Sequence, residues 1–86
     1  MAKIEIYTAM MCGYCYQAKA LLAKKKVEFK EIHVGFHPRA RAEMIQRSKG
    51  RRTVPQIFIN DAHIGGYDDL YTLDSAGKLD QILESV

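Results

Sequence analysis

The two cysteines of this 86-residue chain, Cys12 and Cys15, lie where a strand pattern changes into a helix pattern. Before them, residues 3–7 alternate apolar and polar side chains rich in β-formers, as a half-buried strand does. After them, from about residue 13 to 26, apolar residues recur at helical spacing: Tyr14, Ala18, Leu21 and Leu22. The sequence therefore predicts a strand, a short loop and an amphipathic helix with Cys12 at its N-terminus.

This placement predicts redox chemistry. The unpaired N–H groups and the positive dipole end of a helix N-terminus favour an anion, which here is the Cys12 thiolate, the nucleophilic form of cysteine. Cys15 lies one turn further into the helix, so the two sulfur atoms can form a disulfide without a large backbone movement. We expect Cys12 to attack a disulfide and Cys15 to resolve the mixed disulfide that results.

Two other roles for the cysteine pair fit the sequence less well. A structural disulfide at this spacing would constrain the unfolded chain very little, and small secreted domains usually carry several such bridges. A structural zinc site needs four ligands, and none of His33, His37 and His63 has the spacing of a second ligand pair. The sequence favours catalytic cysteines over both alternatives.

Length and composition predict one domain spanning residues 1–86. The chain has 48% hydrophobic residues, and it contains neither a signal-peptide pattern nor 18 consecutive apolar residues, so we expect a cytoplasmic protein outside the membrane. Its net charge is +3, with basic residues gathered at 24–26 and within 39–52. Because no aromatic residues are interleaved with these arginines as stacking platforms, nucleic-acid binding is not expected.

The remaining patterns predict the order β-α-β-α-β-β-α with a further C-terminal helix. The helix-joined first two strands are expected to be parallel and the tightly joined last two antiparallel. The predicted elements are a strand at 27–34, a helix from Pro38 to about Lys49, strands at 56–59 and 63–64 joined by a turn at Asn60 and Asp61, a helix ended by Gly77, and a final apolar helix face.

This order, with a C-x-x-C after the first strand, is typical of thioredoxin-like domains. Two further motifs are Thr53-Val54-Pro55 before the third strand and Gly65-Gly66-Tyr67-Asp68-Asp69 at the start of the third helix. With them the chain resembles dithiol glutaredoxins over nearly its whole length, and the small bacterial members in particular. The resemblance implies an α/β thioredoxin-like fold with a four-stranded mixed sheet flanked by helices, and a glutathione-dependent thiol-disulfide oxidoreductase.

The resemblance also implies a glutathione site. In the family the proline of the second motif is cis and faces the cysteines, so the Val54 backbone is expected to pair with the cysteinyl part of glutathione. The helix opening at Asp68 is expected to bind the γ-glutamyl carboxylate and Asp69 the ammonium group, although both side chains could simply cap the helix. The expected glutathione-binding residues are Tyr14, Thr53, Val54, Pro55, Gly66, Tyr67, Asp68 and Asp69.

Two positions depart from the family pattern. Ala9 stands where many relatives carry a lysine that meets the glycine carboxylate of glutathione, and we expect Arg51, Arg52 or Arg41 to replace it. Gly13 stands in place of the commonest residue, proline. Some members with glycine or serine there hold a [2Fe-2S] cluster between two protomers, so a glutathione-ligated cluster dimer with Cys12 as a ligand is an alternative function.

On the main interpretation, glutathione is the reductant and co-substrate, and no metal is required. The expected substrates are disulfide-containing or glutathionylated proteins. An NADPH-dependent glutathione reductase would supply electrons indirectly, and the protein is expected to be a monomer.

Overall fold

The structure is a computed structural model that describes residues 2–84, and within them it has the element order expected from the sequence. The strands are β1 (Ile4–Thr8), β2 (Lys30–His33), β3 (Gln56–Ile59) and β4 (Ala62–Gly65). The helices are α1 (Gly13–Lys24), α2 (Pro38–Arg47), α3 (Tyr67–Ser75) and α4 (Lys78–Glu84).

The strands form one mixed sheet in the order β2-β1-β3-β4. β1 pairs with β2 in parallel, as a helix-joined pair does, whereas β1 with β3 and β3 with β4 are antiparallel. The β3–β4 turn places Asn60 and Asp61 at φ 52° and 66°, which fits the right-handed strand twist. The predicted four-stranded, thioredoxin-like α/β architecture is confirmed.

Two predicted boundaries were wrong at the connection between α1 and β2. α1 ends at Lys24 rather than near residue 26, because Lys26 adopts a left-handed conformation with φ 59°. β2 begins at Lys30 rather than at residue 27, since its pairing with β1 starts at the Glu5–Lys30 pair. Val27 and Phe29 pack against the core without joining the ladder, so their alternation reflected burial and not strand pairing.

The sheet has a core on each face. On one face α1, α3 and α4 cover a cluster of fully buried aliphatic side chains that includes Ile6, Leu22, Ile57, Leu70 and Leu79. On the other face α2 covers a smaller cluster of Tyr7, Val34, Met44 and Phe58. Alternate residues of a strand point to opposite faces, so neighbouring β3 residues Ile57 and Phe58 belong to different clusters.

The inward face of α1 differs from the predicted face at one residue. Tyr14 was expected to share the apolar stripe of this helix, but its side chain is 61% exposed. Cys15 takes the inward position instead, with Ala18 and Leu22 following at helical spacing, and all three are buried. Tyr14 is therefore displayed on the surface beside the cysteines.

Arg47 anchors α2 to the sheet through polar contacts. Its guanidinium donates to the hydroxyl of Tyr7 at 2.8 Å and to Oε1 of Glu5 at 2.9 Å, and it lies 4.0 Å from the centre of the Phe58 ring. Among the described residues of α2, only Met44 is fully buried, so the apolar face of this helix is small. The polar contacts of Arg47 therefore add to the attachment of α2 to the sheet.

We expect Gly65→Ala to destabilise the protein more than Gly77→Ala. Both glycines have positive φ, 122° and 74°, but a Cβ on Gly65 would lie 2.7 Å from Cγ of Asp69, whereas a Cβ on Gly77 meets open space. The left-handed conformation alone costs about 1 kcal/mol for alanine, and the added clash should bring Gly65→Ala to about 3 kcal/mol. Urea unfolding of the reduced proteins measures the free energy of unfolding of both variants. Equal losses of stability in the two variants would contradict the expectation.

Candidate active site

The cysteine pair lies at the junction of β1 and α1. Cys12 is the N-cap residue of α1, with extended backbone at φ −110° and ψ 104°, and Cys15 lies in the first helical turn. The two form a disulfide with their Cα atoms 5.2 Å apart, and the N–H of Cys15 donates to Sγ of Cys12 at 3.1 Å. The helix N-terminus predicted for Cys12 is confirmed, and a backbone donor already points at its sulfur.

The two cysteines differ in exposure. Cys15 is 2% exposed, whereas Cys12 is only half-buried. A substrate disulfide can therefore approach the sulfur of Cys12 directly, while the sulfur of Cys15 is suited to react from inside with a disulfide already formed on Cys12.

The Thr53–Pro55 segment faces the cysteines. The Val54–Pro55 peptide bond is cis, as the family resemblance implies, and Pro55 is buried directly before β3. The carbonyl oxygen of Val54 lies 3.7 Å from Sγ of Cys12. The exposed reactive sulfur and the Val54 backbone therefore border the same space.

The start of α3 is held by Asp69. The N–H of Gly66 donates to Oδ2 of Asp69 at 3.0 Å, and Nη1 of Arg51 lies 3.4 Å from the same oxygen. Asp69 thus caps the helix, the alternative that the sequence left open, while about half of its side-chain surface faces solvent. Asp68 is exposed and has no ion pair or side-chain hydrogen bond among residues 2–84.

These segments border an open groove of about 500 Å³ beside Cys12, which we call the main groove. The aromatic rings of Tyr14 and Tyr67 stack with their centres 6.2 Å apart at one edge. All eight residues expected to bind glutathione line this groove, namely Tyr14, Thr53, Val54, Pro55, Gly66, Tyr67, Asp68 and Asp69. The structure brings the set together, and their binding role stays a prediction.

Of the three arginines considered as a replacement for the lysine missing at Ala9, Arg51 lines the main groove. Arg41 instead donates to the carbonyl oxygen of Arg52 at 3.4 Å. The geometry therefore favours Arg51 as the cation available to a ligand in this groove.

A second groove of about 490 Å³ lies on the other side of the cysteine pair, bordered by Met10, Met11, Tyr16 and Lys19. Lys19 could add positive potential near the thiolate, but its ammonium group pairs with Glu31 at 3.0 Å. A hydrogen bond from the Thr8 hydroxyl, together with Lys19, holds the pKa of the Glu31 carboxyl below its usual value. Glu31 is therefore ionised at neutral pH and offsets the charge of Lys19.

Sequence reasoning assigned no role to Gln56 and His63, which lie behind the Thr53–Pro55 segment. Gln56 is fully buried, and its side-chain amide contacts both Thr53 and His63. Burial, followed by the nearby Arg51 cation, lowers the pKa of His63, so its ring is neutral at pH 7. The one available signal was a polar residue opening the otherwise apolar strand Gln56–Ile59.

Among residues 2–84 there is no group of three or more His, Cys, Asp or Glu side chains that could hold a metal ion. An iron–sulfur cluster held by four thiolates would need more than the two cysteines of the sequence. The same residues contain no helix with the length and apolar character needed to cross a membrane.

Comparison with known proteins gives a consistent result. The glutaredoxin family model matches residues 4–64. The chain is 56% identical to glutaredoxin 3 of Escherichia coli K12 over 84 residues, covering 98% of this chain and 100% of that protein. It is 47% identical to the glutaredoxin of Pseudomonas aeruginosa over 85 residues, covering 99% and 100%.

Solved structures agree with the sequence matches. The solution structure of glutaredoxin from Brucella melitensis has a TM-score of 0.86 at 53% identity, covering 99% of this chain and 91% of that one. A buckwheat glutaredoxin–glutathione complex has a TM-score of 0.86 at 29% identity, covering 95% and 76%. This chain therefore shares its fold with a glutaredoxin that was solved in complex with glutathione.

We expect Cys12 to react with iodoacetamide about tenfold faster than Cys15 at neutral pH, because burial limits access to the second thiol. The reduced Cys15→Ser and Cys12→Ser variants each present one thiol, and timed mass spectrometry gives each rate. In guanidinium chloride the two rates should become similar, which is the control. Similar rates in the folded variants would contradict the assignment of Cys12 as the accessible nucleophile.

Proposed function

Because this chain belongs to the glutaredoxin family, we propose that its thiol-disulfide oxidoreductase activity depends on glutathione. The family and the cysteine pair support the exchange chemistry itself. The observation that supports glutathione as the reductant is the main groove, which combines the Val54 backbone beside Cys12 with the start of α3 and the Asp69 carboxylate.

The proposed ligand contacts follow from the chemistry of the groove. An extended tripeptide can pair with the backbone of Val54 as a short added strand, which places its sulfur near Cys12. The N-terminus of α3 offers N–H groups to the γ-glutamyl carboxylate, and Asp69 offers a negative charge to the neighbouring ammonium group. Arg51 supplies a cation for a carboxylate of the ligand.

With a glutathionylated protein, the Cys12 thiolate attacks the glutathione sulfur, forms a disulfide with it, and releases the protein as a thiolate. A second glutathione thiolate then attacks the bound glutathione sulfur, so oxidised glutathione leaves and Cys12 regains its thiolate. The net reaction consumes one glutathione thiol, converts the protein–glutathione disulfide into oxidised glutathione and returns the protein thiol to its reduced state. Cys15 takes no part in this route.

With a protein disulfide, Cys12 attacks one sulfur and the other leaves as a thiolate. The Cys15 thiolate then attacks Cys12, which releases the second protein thiol and leaves the Cys12–Cys15 disulfide that the structure contains. Two glutathione molecules restore the dithiol. Each step exchanges one S–S bond for another.

The proposal includes the partners that this chemistry requires. Substrates are disulfide-containing or glutathionylated proteins, and an NADPH-dependent glutathione reductase renews glutathione. The protein acts as a monomer and as one domain, since both sides of the main groove come from this single chain. A cytoplasmic site of action fits a C-x-x-C pair that must return to the reduced state.

The two cysteine variants test the mechanism. We expect Cys12→Ser to reduce both kinds of substrate at the background rate, because it lacks the attacking thiol. Cys15→Ser should keep the removal of glutathione from a glutathionylated peptide and lose the reduction of a protein disulfide. The assay couples glutathione reductase to NADPH consumption. Equal loss in both variants with the glutathionylated peptide would contradict the monothiol route.

We expect Asp69→Asn to raise the KM for a glutathionylated peptide about threefold to tenfold, because it removes the charge offered to the ligand ammonium group. Asparagine keeps an oxygen that can accept from Gly66, so the helix cap remains. Asp61→Asn removes the same charge from an exposed turn residue paired with Lys3 and serves as the control. Equal KM changes in the two variants would exclude a specific contact.

A further inference from the structure

Gln56 is a fully buried polar residue that directly follows Pro55 at the start of β3. Its Nε2 amide group donates to the carbonyl oxygen of Thr53 at 3.0 Å and to the Thr53 hydroxyl at 3.3 Å. Both N–H groups of the amide therefore donate to Thr53, and Gln56 holds the end of the loop that leads into the main groove.

His63 completes this arrangement from the neighbouring strand β4. Its Nε2 lies 2.7 Å from Oε1 of Gln56, and its ring contacts the Phe58 ring with the centres 5.0 Å apart. An amide oxygen only accepts, so Nε2 of His63 must carry the proton and donate it. The hydrogen bonds run in one direction, from His63 to Gln56 to Thr53.

We propose that Gln56 and His63 are positioning residues that hold Thr53 so that the next residue, Val54, presents its backbone to glutathione. This inference rests on the proposed glutathione site at Val54. Val54 is the residue whose carbonyl oxygen lies 3.7 Å from Sγ of Cys12, so a shift at Thr53 changes the space in which the ligand sulfur must lie.

Holding Thr53 in place matters because the loop before it is exposed. Residues 49–53 are exposed and belong to no helix or strand, so binding a ligand against their end would otherwise require ordering them. Ser48 fixes the start of the loop, since its hydroxyl contacts the carbonyl oxygen of Arg51 at 3.0 Å. Gln56 fixes the other end, so the binding backbone is ordered before the ligand arrives.

The hydrogen bonds of Gln56 are separable from the stability of the sheet. The backbones of β1, β3 and β4 pair without the Gln56 side chain, and Gln56 stands opposite Tyr7 in that ladder. A side chain of similar volume without donors should therefore release Thr53 while it leaves the strands in place. Gln56→Met meets this requirement.

We expect Gln56→Met to raise the KM for a glutathionylated peptide about tenfold, the loss that one to two hydrogen bonds produce. The rate at which iodoacetamide alkylates Cys12 should stay within about twofold, because this reagent reaches the Cys12 sulfur without binding at the Val54 backbone. An unchanged KM would overturn the proposal. A fall of about tenfold in the alkylation rate of Cys12 would also overturn it.

A pair of His63 variants tests the second link and does not depend on the folding of Gln56→Met. His63→Met removes the donor to Gln56 and should raise the same KM about threefold. His63→Gln carries an amide nitrogen that reaches about as far from the backbone as Nε2 of histidine, so it should stay near the wild-type value. Equal KM values for the two variants would overturn the role of this hydrogen bond.

Failure of this inference is distinguishable from failure of the proposed function. The wild-type protein is also assayed with the same peptide carrying cysteine in place of glutathione on its thiol. If both peptides react equally well, the proposed glutathione site is wrong. If the wild type prefers the glutathionylated peptide and all three variants keep that KM, only the positioning role is wrong.

Discussion

The antiparallel pairing of β1 with β3 is the constraint on which the active site depends. In this register Tyr7, near the end of β1, stands opposite Gln56, the first residue of β3. The chain leaving β1 and the chain entering β3 must therefore lie at the same edge of the sheet. That edge brings Cys12 and Val54 within 3.7 Å although 42 positions separate them in sequence.

The β3–β4 hairpin brings the third segment to the same edge. Because β4 runs antiparallel to β3, its end at Gly65 lies beside the beginning of β3, with Gly65 paired to Ile57. The chain then turns through the positive φ of Gly65 into α3, whose first turn is capped by Asp69. Three loops that are distant in sequence thus border one groove, and the sheet topology alone is sufficient to gather them.

The sequence predicted the features that depend on local patterns and on motifs. The C-x-x-C at the start of α1 and the order of the elements could be predicted because periodicity and short motifs carry this information. The residues that line the main groove could be predicted through the family resemblance that those motifs support. Positions that depend on tertiary packing could not. Val27 and Phe29 alternate like a strand and yet pack without pairing, and the burial of Gln56 beside His63 depends on the register of two strands.

The charges of the main groove are arranged so that a zwitterionic ligand can enter at little cost. Arg51 and Asp69 pair with each other across 3.4 Å, and about half of each side chain is exposed. An ion pair in such a position is worth about 0.5 kcal/mol, so exchanging it for two ligand contacts loses little. Meanwhile the pair, together with the cap on Gly66, keeps both charges at the groove before a ligand binds. For the proposed glutathione ligand, which carries both an ammonium group and carboxylates, opposite charges are therefore better suited than a purely basic rim.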